Sequence, residues 1–216
     1  MENYTKIADL NKGSFGQVAK IRRKSDGQVF VWKELNYGKM SEKEKQLLVQ
    51  EVNILRELRH PNIVKYVDRI IDKESQKIFI VMEFCGGGDM AQLIKNHKRK
   101  KEWVPEDIVW TIIFQALSAL YKCHNRKEGK ICHRDLKPAN LFLDNERNVK
   151  LGDFGLSRMM GPESIFCTTH VGTPYYMSPE QIKDQRYNEK SDIWSLGCII
   201  YEIAALHAPF EATTHY

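Results

Sequence analysis

His133-Arg134-Asp135-Leu136-Lys137-Pro138-Ala139-Asn140, followed by Asp153-Phe154-Gly155, places three oxygen-bearing side chains suited to a hard cation in a short span. A calcium loop is one chemistry for such a set, but the spacing lacks the regular alternation and bidentate Glu of an EF-hand. Phosphoryl transfer fits better. Asp135 can orient and deprotonate a hydroxyl, Asn140 and Asp153 can hold Mg²⁺ on phosphate groups, and Lys137 can neutralise charge on the group in flight. Magnesium suits this design, because it takes few protein carboxylates and fills its shell with phosphate oxygens and water.

A second candidate is Asn11-Lys12-Gly13-Ser14-Phe15-Gly16-Gln17-Val18. Glycines at 13 and 16 let the backbone approach a ligand closely, with amide groups able to meet phosphate oxygens. A plain hairpin turn is the competing reading. A dinucleotide fingerprint is excluded, because a strand rather than a helix follows. Lys33 closes an apolar strand, where a lysine commonly snorkels to water. Glu51 argues for more, since Leu48, Glu51, Val52, Leu55 and Leu58 share one face of a helical wheel. A carboxylate inside that stripe needs a cation, and Lys33 is the obvious one.

The elements that must position these groups divide the chain. Residues 18–21 and 29–33 read as short strands joined by Ser25-Asp26-Gly27, and 78–82 as a buried strand. A helix is expected over 42–58, opened by the capping box Ser41-Glu42-Lys43-Glu44 and ended before Pro61. Beyond Pro105 helical patterns dominate, at 106–123 and 191–206. The order predicts an α+β, two-lobed arrangement: a β-rich lobe over 1–82, a hinge at 83–88, and a helical lobe over 89–216.

The chain has 216 residues, 42% hydrophobic and 28% charged, with a formal net charge of +5. These values fit a globular protein and exclude a disordered, collagenous or disulfide-scaffold class. So small a surplus does not by itself argue for nucleic acid. The dense run Lys95-Asn96-His97-Lys98-Arg99-Lys100-Lys101 lacks interleaved aromatics, so it reads as a solvated loop before a nucleic-acid patch. Cys85, Cys123, Cys132, Cys167 and Cys198 have no paired spacing, which points to reduced thiols in a cytosolic or nuclear compartment. Cys123-His124 and Cys132-His133 are adjacent pairs without finger spacing, so zinc is disfavoured and His133 reads as structural support for Asp135. No signal peptide or membrane span is expected.

In this order the motifs resemble a eukaryotic protein kinase. Ser178-Pro179-Glu180 and Asp192-Ile193-Trp194-Ser195-Leu196-Gly197 extend the likeness. Lys137 and Gly172-Thr173 resemble the Ser/Thr rather than the Tyr group. Arg22-Arg23-Lys24-Ser25-Asp26-Gly27, Val31-Trp32-Lys33-Glu34-Leu35 and the stretch from Val171 to Glu180 are similar to the NIMA-related (Nek) kinases. The resemblance implies ATP and Mg²⁺ as cofactors and Ser/Thr hydroxyls of proteins as acceptors. It also implies work in the cell cycle, at centrosomes or in cilia. By it, residues 11–16 and Val18 cover the nucleotide, and Lys33 with Glu51 completes the catalytic pair. Met82 becomes the gatekeeper, and the backbone of Glu83 and Cys85 bonds the adenine. Residues 153–180 become the activation segment. Thr169 and Thr168 become its phosphorylation sites, with Arg134 as a partner for the phosphate, and plain loop residues are the alternative for both. The resemblance also makes Thr173 a structural-catalytic residue that bonds near Asp135 and Lys137, rather than a switch. Oligomeric state stays open, since no coiled-coil heptads are present.

Two departures stand out. Asn11 replaces the first loop glycine, which is expected to weaken rather than abolish nucleotide binding. The chain also stops at Tyr216, soon after the central helix, so a helical lobe truncated there is expected. By the resemblance, later helices of that lobe supply an arginine that pairs with Glu180, and no such partner from them is expected here. Ile193, Trp194, Leu196, Ile199, Ile200, Tyr201 and Ile203 occupy nearly every face of that helix, so several should meet water. Each exposed large apolar side chain forfeits roughly 1.5–3 kcal/mol, against a domain stability of about 5–15 kcal/mol. The competing functional expectation is therefore a non-catalytic nucleotide-binding or interaction fragment. If the cation site is read correctly, Asp153→Ala abolishes Mg²⁺-dependent phosphoryl transfer; unchanged transfer would remove the assignment.

Overall fold

The computed structural model describes residues 2–13, 16–152, 175–183 and 185–211, with backbone alone at 11–13 and 51. The chain forms two compact units, one from 1–59 with 64–84 and the other from 60–63 with 85–216.

The first unit is built on a five-stranded antiparallel sheet. β1 (Tyr4–Gly13), β2 (Gly16–Arg23), β3 (Val29–Asn36), β4 (Tyr66–Asp72) and β5 (Lys77–Glu83) lie in the order β1-β2-β3-β5-β4. β2, β3 and β5 carry most of the buried side chains, with Tyr4 of β1 packed among them, and these three are the strands that the hydrophobic pattern predicts. Ala19, Ile21, Phe30, Trp32, Phe79 and Val81 form one cluster, with the Trp32 and Phe79 rings 4.9 Å apart. β1 and β4 were not legible as strands. They are the edges of the sheet, and Thr5–Leu10 in β1 is exposed throughout, so no alternation marks it.

α1 (Glu42–Glu57) begins at the expected capping box. The Glu44 amide donates to Ser41 Oγ at 3.3 Å, and the Ser41 amide donates to the Glu44 carboxylate at 2.7 Å. Those bonds from Ser41 hold the Glu44 carboxyl below its ordinary pKa. Leu48, Val52, Leu55 and Leu58 are buried along one face.

The second unit contains α2 (Met90–Lys100), α3 (Glu106–His124), α4 (Pro179–Ile182) and α5 (Glu189–Ala205). A small sheet, β6 (Gly88–Asp89), β7 (Leu141–Leu143) and β8 (Val149–Leu151), lies beside them. The segment 60–63 is tied into this unit: the Asn62 side-chain amide donates to the Val149 carbonyl at 3.0 Å, and the Leu151 amide to the Asn62 carbonyl at 2.8 Å.

The run at 95–101 corrects one expectation, because it is the second half of α2 rather than a loop. Asp89 caps the helix by accepting from the Gln92 amide at 2.8 Å, and Lys101 ends it in the left-handed region. Only Met90 and Ile94 of α2 are buried, too short a stripe to reveal a helical period. Lysine and arginine are nonetheless good helix formers, and cations in a last turn complement the helix dipole.

α3 and α5 pack together. On α5, Leu196, Ile199 and Ile203 are buried, whereas Ile193, Trp194 and Tyr201 are exposed, as their distribution around the helix predicted. Trp194 stacks on Phe210 with ring centroids 5.7 Å apart. On α3, Trp110, Phe114 and Tyr121 are exposed. Among the described residues, no helix is long and apolar enough to cross a membrane.

Gly16 shows how closely β2 and β3 approach. Its φ is +144°, and a Cβ placed there would sit 2.0 Å from the Glu34 carbonyl oxygen. Backbone cannot yield as a flexible side chain would, so Gly16→Ala must part the strands or rotate the turn. It is expected to cost about 2 kcal/mol or more, read as a fall of several degrees in Tm.

Candidate active site

The segment 125–140 joins α3 to β7, and a buried carboxylate on α5 sets the path of its second half. Asp192 has 0% exposure. Its Oδ2 accepts from the His133 amide at 2.9 Å and bonds His124 Nε2 at 2.7 Å. Its Oδ1 accepts from the Arg134 amide at 3.1 Å and from the Tyr187 hydroxyl. Four partners fill the capacity of a carboxylate. Burial acts to raise the Asp192 pKa, but the bonds from His124, Tyr187 and the His133 amide outweigh it, and the net shift is downward. Burial, with the same carboxylate, pushes the Tyr187 hydroxyl upward. Asp192 lies in the first turn of α5, where the helix dipole also favours negative charge.

Drawing two successive amides to one carboxylate forces the chain to turn. Arg134 takes a φ of +69°, left-handed for a residue with a side chain, and such a conformation costs about 1 kcal/mol or more. His133, fully buried, completes the turn. Its Nδ1 accepts from the Asp135 amide at 3.3 Å, and its Nε2 bonds the Gly152 carbonyl at 2.7 Å. An Nε2–H tautomer satisfies both, so His133 does support Asp135.

The turn brings the side chains of Asp135, Lys137 and Asn140 together. Asp135 Oδ2 accepts from Lys137 Nζ at 2.8 Å and from Asn140 Nδ2 at 3.0 Å. Asn140 Nδ2 also donates to the Asp135 carbonyl at 2.7 Å. Asn140 is buried in a short 3-10 turn, Pro138–Asn140, with its carbonyl accepting from the Gly152 amide at 3.1 Å. With the amide nitrogen committed to Asp135, the side-chain oxygen of Asn140 is its remaining acceptor, the donor type Mg²⁺ prefers. Gly152 leads directly to Asp153. Asp153, Thr168, Thr169 and Thr173 lie outside the described residues.

In the first unit, Lys33 lies in β3 opposite Val18 of β2 and Ile80 of β5, and is buried at 8% exposure. Met82 pairs with Val31, one strand position before Glu83. The Glu83 amide donates to the Lys65 carbonyl at 3.0 Å and its carboxylate accepts from the Lys65 amide at 2.7 Å. The N–H of Glu83 is thus committed within the first unit. Cys85 is half-buried at the start of the second unit. Gly13 and Gly16 face each other across the β1–β2 turn. Ser14 and Phe15, and the side chains of Asn11, Lys12 and Glu51, lie outside the described residues.

His124, Tyr187 and the role of Asp192 are what the sequence reading missed. The signal was available, since an aspartate in a helix apolar on nearly every face must be paired if buried. Among the described residues, no group of three or more His, Cys, Asp and Glu could hold a metal ion, and burial pushes the Cys123 thiol up to about 12. Glu180 has found a partner within the chain, the Ser191 hydroxyl, which lowers its pKa.

A family model described as the protein kinase domain matches residues 4–216. The chain belongs to the protein kinase family, in its NIMA-related branch. It is 58% identical over 99% of its length to a Dictyostelium discoideum protein named probable serine/threonine-protein kinase nek2, covering 51% of that protein. It is 55% identical over 98% of its length to human serine/threonine-protein kinase Nek2, covering 48% of it. The G2-specific protein kinase nimA of Emericella nidulans is 45% identical over 99% of the chain. This kinase domain spans about half the length of the first two relatives.

Replacing Asp192 by Asn would leave one acceptor facing donors that now occupy two oxygens. Breaking such a buried charged network costs about 3–5 kcal/mol, so Asp192→Asn should lower the urea midpoint at neutral pH. Because its folded pKa is depressed, the Asp192 contribution is complete above its unfolded value of about 3.9 and is lost as pH falls through the lower folded value. The acid limb of the parent's stability curve should therefore be steeper than the variant's.

Proposed function

We propose that this kinase domain transfers the γ-phosphate of Mg·ATP to Ser and Thr hydroxyls of proteins. The observation that carries this reading is the Asp135–Lys137–Asn140 cluster, held on a turn that a buried carboxylate fixes. Asp135 Oδ2 is committed to Lys137 and Asn140, so the carboxylate cannot rotate freely. Its Oδ1 has no hydrogen bond among the described residues and is the oxygen to take the acceptor hydroxyl's proton. The hydroxyl oxygen then bonds phosphorus as the bond from phosphorus to the leaving diphosphate breaks. Lys137 Nζ, already beside Asp135, neutralises charge on the transferred group. Asn140 and Asp153 are the residues to hold Mg²⁺, which when bound supplies charge neutralisation on the phosphates.

Lys33 is assigned to the nucleotide phosphates, with Glu51 as its partner. Residues 11–16 and Val18 are assigned to the covering loop, and Met82, Glu83 and Cys85 to the adenine. Phosphorylation at Thr168 or Thr169 would place a dianion for Arg134, whose exposed guanidinium lies 5.8 Å from the Tyr187 ring. A cell-cycle role, with residence in the cytoplasm, nucleus or at centrosomes, is the reading that likeness to Nek2 and to proteins named G2-specific kinases supports.

A second reading, nucleotide or partner binding without transfer, is favoured by the exposed apolar side chains of α3 and α5. Transfer of labelled γ-phosphate from Mg·ATP to a generic protein substrate separates the two. The parent is expected to transfer, with Asp135→Asn lower by about 100-fold or more. Silence from both would favour the second reading.

A further inference from the structure

Lys95 and Lys98 of α2 have no role in the transfer outlined above, yet they line a groove that leads to it. The groove, about 410 Å³, lies within the second unit between α2, the Pro138–Asn140 turn and the end of α5. Ile94, Pro138 and Ala139 contribute apolar surface, and Lys137 lines it too, so it opens beside Asp135. Lys95 and Lys98 are three residues apart, on one face of the helix. Glu202 and Glu211 also line it.

The charges in this groove are not equally engaged. Lys137 is bonded to Asp135, and Glu202 accepts from the Tyr176 hydroxyl. Lys95 and Lys98 are exposed, and their side chains make no ion pair or hydrogen bond among the described residues. The helix dipole does not account for both. It acts over the last turn, which His97, Arg99 and Lys100 already serve, and Lys95 lies before that turn.

We infer that Lys95 and Lys98 select protein substrates that carry one negatively charged side chain, carboxylate or phosphate, at a defined position beside the acceptor hydroxyl. The inference rests on the transfer reading above. Glu202 and Glu211 repel the same charge, so acidity in general is not what the groove recognises. A single position is, because an extended peptide advances about 3.3 Å per residue and presents alternate side chains to opposite sides.

The test uses peptides with one Ser acceptor in which Ala, Asp or phosphoserine is moved through each flanking position. The readout is kcat/KM with the full chain at low and high salt. One position should prefer Asp over Ala by about two- to fivefold, the range for exposed ion pairs, and the preference should fade with salt. Phosphoserine stronger than Asp would identify a phosphate as the ligand, and equality a carboxylate. In K95E/K98E the same position should come to prefer Lys, and K95R/K98R should restore the acidic preference, which separates charge from damage to the fold. No preferred position, or a preference that survives in K95E/K98E, would overturn the inference. If no peptide is phosphorylated, the transfer reading fails separately. Anisotropy of the labelled peptides then decides the inference: tighter binding of the acidic peptide, lost in K95E/K98E, supports it, and equal binding overturns it.

Discussion

One buried carboxylate governs the candidate site. Asp192 has no access to water, and a charge in that position persists only if every lone pair is satisfied. Its partners come from three places: His124 at the end of α3, Tyr187 before α5, and the backbone of 133 and 134. The charge therefore joins two helices and a loop at a single point. The loop responds by adopting a left-handed residue at Arg134, and that turn brings Asp135, Lys137 and Asn140 together. None of these three touches Asp192, yet their mutual geometry follows from it.

The first unit solves a different problem with backbone alone. Lys33 lies in its strand between Val18 and Ile80, so its backbone position follows from sheet register. The close contact at Gly16 belongs to the same register, since a side chain there would push against the Glu34 carbonyl. Glu83 commits its amide to Lys65 within the unit. The sheet thus determines which way the backbone groups at this edge are engaged.

Charge is treated differently inside and outside. Asp192 is paired on both oxygens, as the low dielectric demands. The lysines of α2 stand in water, where an unmatched charge costs little. They are for that reason available to recognise something else, which a buried charge is not.

Motif chemistry and local signals could be read directly from residue order. Asp135, Lys137 and Asn140 lie within six positions of one another, so short-range geometry brings them together whatever surrounds them. The capping box at Ser41 is equally local, as are the apolar strands β2, β3 and β5. Edge strands β1 and β4 escaped because Thr5–Leu10 of β1 faces water and β4 is only partly buried, and the second half of α2 because two buried residues make no visible period. What only the tertiary structure decided is pairing between distant positions. His124, Tyr187, Asp192 and the 133–134 amides are separated by up to 68 residues, and no local pattern states which donor a buried aspartate will find. Nor does residue order disclose that a run of lysines borders the groove beside Asp135. Sequence spacing specifies chemistry that a single turn can assemble, whereas burial, which decides which charges must be paired and which stay free, exists only once the helices have packed.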